Sequence, residues 1–222
     1  MTRRRAVAGG GVEVEVPPER LVGFLSRFGA RNGGLADLAT DGVTVRIRGG
    51  DGTLARIEVP FGPMAVGDRE PVEALLAHLA GLGTLGVILV RGGAHSVGLA
   101  RDGAVLRSST DRAYLQGRTA AGGWSQQRFA RRRGNQRTAS LADAADTAVR
   151  VLTDPHSPPP AALVLGGDRP ALAQVLADPR LAALAARPRR TFADIPEPRR
   201  AVLDEVAARS LSVPIVIEPA AT

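Results

Sequence analysis

Val87-Ile88-Leu89-Val90 is an uninterrupted apolar run. Side chains along a strand alternate between the two faces of a sheet, so a strand like this needs cover on both sides. It reads as a buried central strand. The chain can supply the cover. It has 222 residues, 44% of them hydrophobic and only 3% aromatic, so Ala, Val, Leu and Ile must build the core. A chain of that length buries most of its apolar surface without covalent staples. It contains no cysteine, which excludes disulfides, thiolate zinc sites, iron–sulfur ligation and a cysteine nucleophile. No apolar run approaches the ~18–20 residues that span a bilayer. The basic start Met-Thr-Arg-Arg-Arg has no apolar stretch behind it, so no signal peptide, no membrane partner and a cytoplasmic location are expected.

The other periodicities organise the chain into two blocks. Val12-Glu13-Val14-Glu15-Val16 alternates as a strand does, with Glu13 and Glu15 outward. After Pro17 and Pro18, Leu21, Val22, Leu25 and Phe28 form a helical stripe, and Gly33 and Gly34 lie in the loop beyond. Residues 43–48 alternate as a half-buried strand. Gly49-Gly50-Asp51-Gly52 turns the chain into a partner strand holding Ile57 and Val59. Val72, Leu75, Leu76 and Leu79 mark a second helix. This is a β-α-β-β-α lobe over 1–82. The second block, 84–222, opens with the central strand. Asp102-Gly103 is a two-residue hairpin signal, and the return strand runs from Val105 through Ser108 or as far as Tyr114. A glycine-rich loop (117–125) precedes a long basic helix from about Ser125, with a possible break at Gly134-Asn135. Beyond the Pro-rich 154–160, strands at 162–165, 191–193 and 213–217 alternate with helices at 170–177 and 197–209. The expected class is α/β, with a mixed (α+β) sheet because the hairpin is antiparallel.

The charge is local. Net charge is +7, and all 29 basic residues are arginine. From Arg112 to Ala142 there are seven arginines and no acid, which leaves 22 arginines against 22 acids elsewhere. A basic stripe on an otherwise balanced body is the footprint of a polyanion, most often nucleic acid. A solvated arginine face is the bland alternative.

Inside that window stands Gly122-Gly123-Trp124-Ser125-Gln126-Gln127-Arg128-Phe129-Ala130-Arg131-Arg132-Arg133. Glycines allow close backbone approach to a partner. Ser125 suits a helix N-cap. Two glutamine amides stand in the first turn, and positions 128, 131 and 132 share a helix face. The reading is an amide carried on a glycine tip, with a basic shaft to grip phosphates.

This stretch resembles the catalytic loop of eukaryotic and archaeal class I peptide-chain release factors, Gly-Gly-Gln-Ser-x-x-Arg-Phe-Ala-Arg-x-Arg. Gly122, Gly123, Ser125, Arg128, Phe129, Ala130, Arg131 and Arg133 match, and Trp124 takes the place of the glutamine. The glutamine arrives two residues later, and this Gly-x-x-Gln spacing resembles the Vms-like branch, in an actinobacterial form. The resemblance implies a release-factor-like catalytic layer of mixed sheet and helices behind the N-terminal lobe. It also implies a peptidyl-tRNA hydrolase or release factor of ribosome rescue and quality control, whose partners are peptidyl-tRNA and large-subunit ribosomal RNA. Gln126 would then orient water, with Gln127 as fallback, and Gly122 and Gly123 would allow entry. Arg118, Arg128, Arg131, Arg132, Arg133 and Arg137 would hold RNA backbone, and Trp124 would stack on a base. Cleavage of the tRNA 3′ end stays open as a second chemistry, and a non-enzymatic RNA- or ribosome-binding adaptor as a second function. No cofactor or metal is called for, and oligomeric state is left open.

Other motifs read as structural. Gly117 to Gly123 lacks the lysine of a P-loop. Asp168 suits a helix N-cap. His78, His95 and His156 have no ligand spacing among them. Asp143 and Asp146, one helical turn apart, read as solvated acids, and Ser108, Ser109 and Thr110 as a polar strand end without a base.

Overall fold

A computed structural model describes residues 4–7, 10–112, 124–154 and 157–220, and for 124–133 the backbone alone. In chain order the elements are β1 (Arg4–Ala6), β2 (Val12–Val16), α1 (Pro18–Arg31), β3 (Leu35–Thr40), β4 (Thr44–Gly49), β5 (Leu54–Glu58) and α2 (Pro71–Ala80). Then follow β6 (Thr84–Arg91), β7 (Ala94–Arg101), β8 (Ala104–Arg112), α3 (Trp124–Leu152), β9 (Ala162–Gly167) and α4 (Arg169–Leu176). A 3-10 turn (Pro179–Leu181), α5 (Ala182–Ala185), β10 (Arg189–Phe192), α6 (Arg200–Arg209) and β11 (Val213–Glu218) complete the chain. The fold is α/β, divided into two compact units: Met1–Leu82 with Leu211–Thr222, and Gly83–Ser210.

The first unit is a six-stranded antiparallel sheet in the order β1-β2-β11-β5-β4-β3. The alternation seen in the sequence is the pleat. Val14, Val16, Val45, Ile47, Ala55, Ile57, Val213 and Ile215 turn inward against Leu21, Leu25 and Phe28 of α1 and Leu75 and Leu79 of α2. Val22, expected on the inner stripe of α1, is 62% exposed instead. At 100° per residue it falls on the rim of the arc that Leu21, Leu25 and Phe28 share. Residues 213–217, expected in the second block, belong to the first unit. β11 pairs with β2 on one side and β5 on the other. The first unit therefore closes only when the chain returns to it.

The second unit is a mixed five-stranded sheet in the order β10-β9-β6-β7-β8. β6, which holds the Val87–Val90 run, is its middle strand, parallel to β9 and antiparallel to β7. Its two faces are both covered, as the run requires. Ile88 and Val90 pack with Leu141, Ala144 and Ala148 of α3. On the other face α6 comes close enough that a Cβ at Gly98 would lie 2.9 Å from Leu203. Asp102 and Gly103 turn β7 into β8 with φ of 51° and 77°, the left-handed pair that tightens a two-residue hairpin. Gly167 ends β9 at φ 103°, with Val90 O only 2.1 Å from where a Cβ would stand. Asp168 occupies the N-cap position of α4 but makes no side-chain cap. Its carboxylate accepts from Gly92 N at 3.3 Å instead.

β11 lies between β2 and β5, so its removal divides the first sheet into two pieces. A chain ending at Ser210 is expected to lose the cooperative unfolding of the first unit while the second unit keeps its own transition. Scanning calorimetry of the truncated and full-length chains checks this.

Candidate nucleic-acid interface

α3 runs 29 residues, about 43 Å at 1.5 Å per residue. It is continuous through Gly134 and Asn135, where the sequence suggested a break. It begins at Trp124, so Ser125 lies inside the first turn and not at the N-cap. Its two halves differ. Ser140, Leu141, Ala144, Ala145, Thr147, Ala148, Val151 and Leu152 are buried, at the three- and four-residue spacing of one helix face. Residues 134, 135 and 137–139 are exposed, and Gln136 is half-buried.

Polar ties fix the seated half at both ends. Ser140 Oγ donates to Gly93 O at 3.2 Å, in the β6–β7 turn. Arg150 Nη2 donates to Ser109 Oγ at 3.2 Å. Arg107 of β8 donates from Nε to Val151 O at 2.9 Å and from Nη1 to Asp154 at 2.5 Å. Val151 O belongs to the last turn, where carbonyls lack helical partners, so Arg107 satisfies a group that would otherwise go without. Arg180 adds a tie from the side, bridging Asp146 and Asp178 at 2.6 Å each. The Arg180 guanidinium and its backbone N–H hold the Asp178 carboxyl down to about 2.

His95 lies beneath the seat. It is 2% exposed, with Nε2 3.3 Å from Thr147 Oγ1 and 3.9 Å from Asp143. Burial pushes its pKa below the ordinary imidazole value; Asp143 and Asp111 oppose the shift, and Arg150 adds to it. His78 Nε2 lies 3.0 Å from Pro60 O, and His156 lies outside the described residues. Ser108 accepts from Arg200, and Thr110 shares a hydrogen bond with Ser96 at 2.6 Å. Among the described residues, no three His, Cys, Asp or Glu side chains gather where they could hold a metal ion. No described helix is long and apolar enough to cross a membrane.

Trp124, Gln126, Gln127, Arg128, Arg131, Arg132 and Arg133 all fall in the first three turns of α3. Their side chains, together with Arg118, Gly122, Gly123 and the rest of 113–123, lie outside the described residues. The helical repeat sorts the positions. Positions 128, 131 and 132 share one face with 124. Positions 126, 133 and 137 fall on the line that farther along becomes the buried face through Ala144 and Val151. Arg137 is exposed and lines a small cleft with Val90, Gly93, Ser140 and Asp168. Arg112, counted in the acid-free window, is paired with Glu197 at 3.2 Å. The window as read along the chain overstates the free charge, because that acid arrives from 85 residues away.

The fold and the helix together define an α/β protein that seats half of a long helix on a mixed sheet and gives its first turns to arginines and amides. The chain belongs to the Actinobacteria/chloroflexi VLRF1 release factor family, whose model matches residues 83–216, more than half of its length. Among solved structures, the crystal structure of the archaeal translation termination factor aRF1 is similar at 12% identity, over 93% of this chain and 68% of that one. Its TM-score of 0.31 is too low to support any argument about this chain. No curated protein matches the chain.

A histidine held below its ordinary value makes the unfolded chain the better proton acceptor, so stability is lost as pH falls through about 6.5. Replacing His95 with Gln is expected to flatten the stability profile between pH 7 and 5. Urea unfolding of the wild type and His95→Gln across that range checks it; parallel profiles would count against a buried neutral His95.

Proposed function

We propose that this protein is a peptidyl-tRNA hydrolase that frees nascent chains on stalled large ribosomal subunits. The observation that carries the reading is the Gly122-Gly123-Trp124-Ser125-Gln126 sequence at the head of a helix whose far end is anchored to the sheet. Membership in a release factor family supports it.

In this reading Gly122 and Gly123 let the backbone pass into a confined RNA site. The Gln126 amide holds a water molecule against the carbonyl carbon of the ester between peptide and tRNA. The water oxygen bonds to that carbon, and the bond to the tRNA 3′ oxygen breaks. The water proton ends on the departing oxygen. Glutamine is no base, so its share is positioning and hydrogen bonding in the transition state. The ribosomal RNA supplies the rest of the site. Arg118, Arg128, Arg131, Arg132, Arg133 and Arg137 hold phosphates, and Trp124 stacks on a base. Gln127, one residue on, is the alternative amide. The protein then works in the cytoplasm, where its substrate is.

The decisive assay incubates the protein with large subunits carrying peptidyl-tRNA and follows peptide and tRNA 3′ ends on gels. Wild type frees peptide and leaves the tRNA intact, and Gln126→Ala slows release by about 10²–10³. Equal rates for the two proteins would remove Gln126 from the chemistry. Shortened tRNA would replace ester hydrolysis with 3′-end cleavage, the reading that the tryptophan in the usual glutamine position keeps open. Binding without either product would leave an adaptor.

Two further variants separate grip from entry. Arg131→Glu with Arg132→Glu weakens subunit binding and lowers the magnitude of its salt slope, by about 0.7–0.9 for each phosphate no longer gripped. Gly123→Val is expected to bind normally and release nothing, because a β-branched residue cannot take the backbone conformations open to glycine. Binding titrations across salt and the release assay read both.

A further inference from the structure

α1 carries a second positive face, in the unit outside the helix-and-loop site. Arg20, Gly23, Arg27 and Arg31 fall within one stripe at the helical repeat, away from the buried Leu21, Leu25 and Phe28. All four residues are exposed. Among the described residues no carboxylate pairs with any of the three guanidinium groups. Glu19, the one acid of α1, lies in its first turn and on the flank of the stripe.

Gly23 stands inside the stripe. Glycine in an exposed helix interior weakens the helix. Here no packing demands it, since a Cβ at Gly23 would meet only Arg27 Nη1, the far end of a flexible side chain, at 3.3 Å. What the glycine leaves is backbone with no side chain of its own between two cations, covered only by the movable Arg27 guanidinium, a place where a partner can come close. The partner must be anionic. A membrane surface calls for an apolar helix face beside the cations; the apolar face of α1 is spent on the core, and Val22 is its one large exposed apolar residue.

We propose that this stripe is a second nucleic-acid contact, in which Arg20, Arg27 and Arg31 grip the phosphates of an RNA strand that lies across Gly23. It does not depend on what the Gln126 helix hydrolyses. It assigns to the first unit a share of RNA binding that sequence-wide charge counting gives wholly to residues 112–142.

The test measures binding of the full-length protein to a mixed-sequence single-stranded RNA and to purified large subunits over a range of salt. Neutralising the stripe with Arg20→Gln, Arg27→Gln and Arg31→Gln together is expected to lower the magnitude of the log–log salt slope on RNA by about 2, from three phosphates at about 0.7 each. The triple Arg→Lys variant keeps the slope. Gly23→Gln weakens binding several-fold while its melting temperature holds or rises, because glutamine is the better helix former. The proposal is overturned if the neutralised protein binds with the wild-type slope, or if Gly23→Gln binds as wild type does. It is equally overturned if phosphatidylserine vesicles or polyglutamate, and not RNA, lose affinity for the neutralised stripe. Should the triple Gln variant unfold, Gly23→Gln still decides.

Discussion

The second unit depends on the seating of one half of α3 on its sheet, chiefly across β7, the strand beside the middle strand β6. Ala144, Ala145 and Ala148 are small enough to bring the helix close, and Leu141, Val151 and Leu152 fill the hollows around Ile88, Val97 and Leu99. Each large apolar side chain buried there contributes about 1.5–3 kcal/mol. The polar ties add direction more than strength. Ser140 fixes where the seat begins, and Arg107 holds the last turn. A long helix that is clamped along one half can present its other end at a set distance and angle. That is what the proposed site on its first turns would require.

The two sheets meet the same demand in different ways. β6 is buried on both faces and reads as a continuous apolar run, so it takes helices above and below. The strands of the first unit alternate, so their sheet needs helices on one face only. Charged residues occupy the other face, among them Glu13 paired with Arg5 and Arg56 paired with Glu218. The last pair ties the C-terminal strand to β5 across 162 residues of chain. The first unit is thus completed by the last strand of the chain.

Local pattern made much of this legible. The Val87–Val90 run, the alternation at 12–16 and 43–48 and the Asp102-Gly103 hairpin all rest on near-neighbour sterics, and each stands where its pattern put it. Leu35–Thr40 escaped notice because this edge strand, largely exposed at its start, has no alternation to show. The sheet that receives β11 could not be read, since pairing between residues 213–217 and 12–16 leaves no mark in either segment. Gly134 and Asn135 look like a break, yet continued helical bonding on both sides carries the helix through them. Charge was legible as a total along the chain but not as a surface. Arg112 is neutralised by a distant acid, while three arginines of α1 stand together on a helix whose single acid lies to one side.

The proposed hydrolysis requires the head of α3 to reach the tRNA end inside the large subunit. A photo-crosslinking amino acid in place of Trp124 tests this directly. On large subunits bearing peptidyl-tRNA, crosslinks to the 3′-terminal nucleotides of the tRNA and to the ribosomal RNA around them are expected. Crosslinks confined to ribosomal proteins, or none above the level seen with empty subunits, would contradict it.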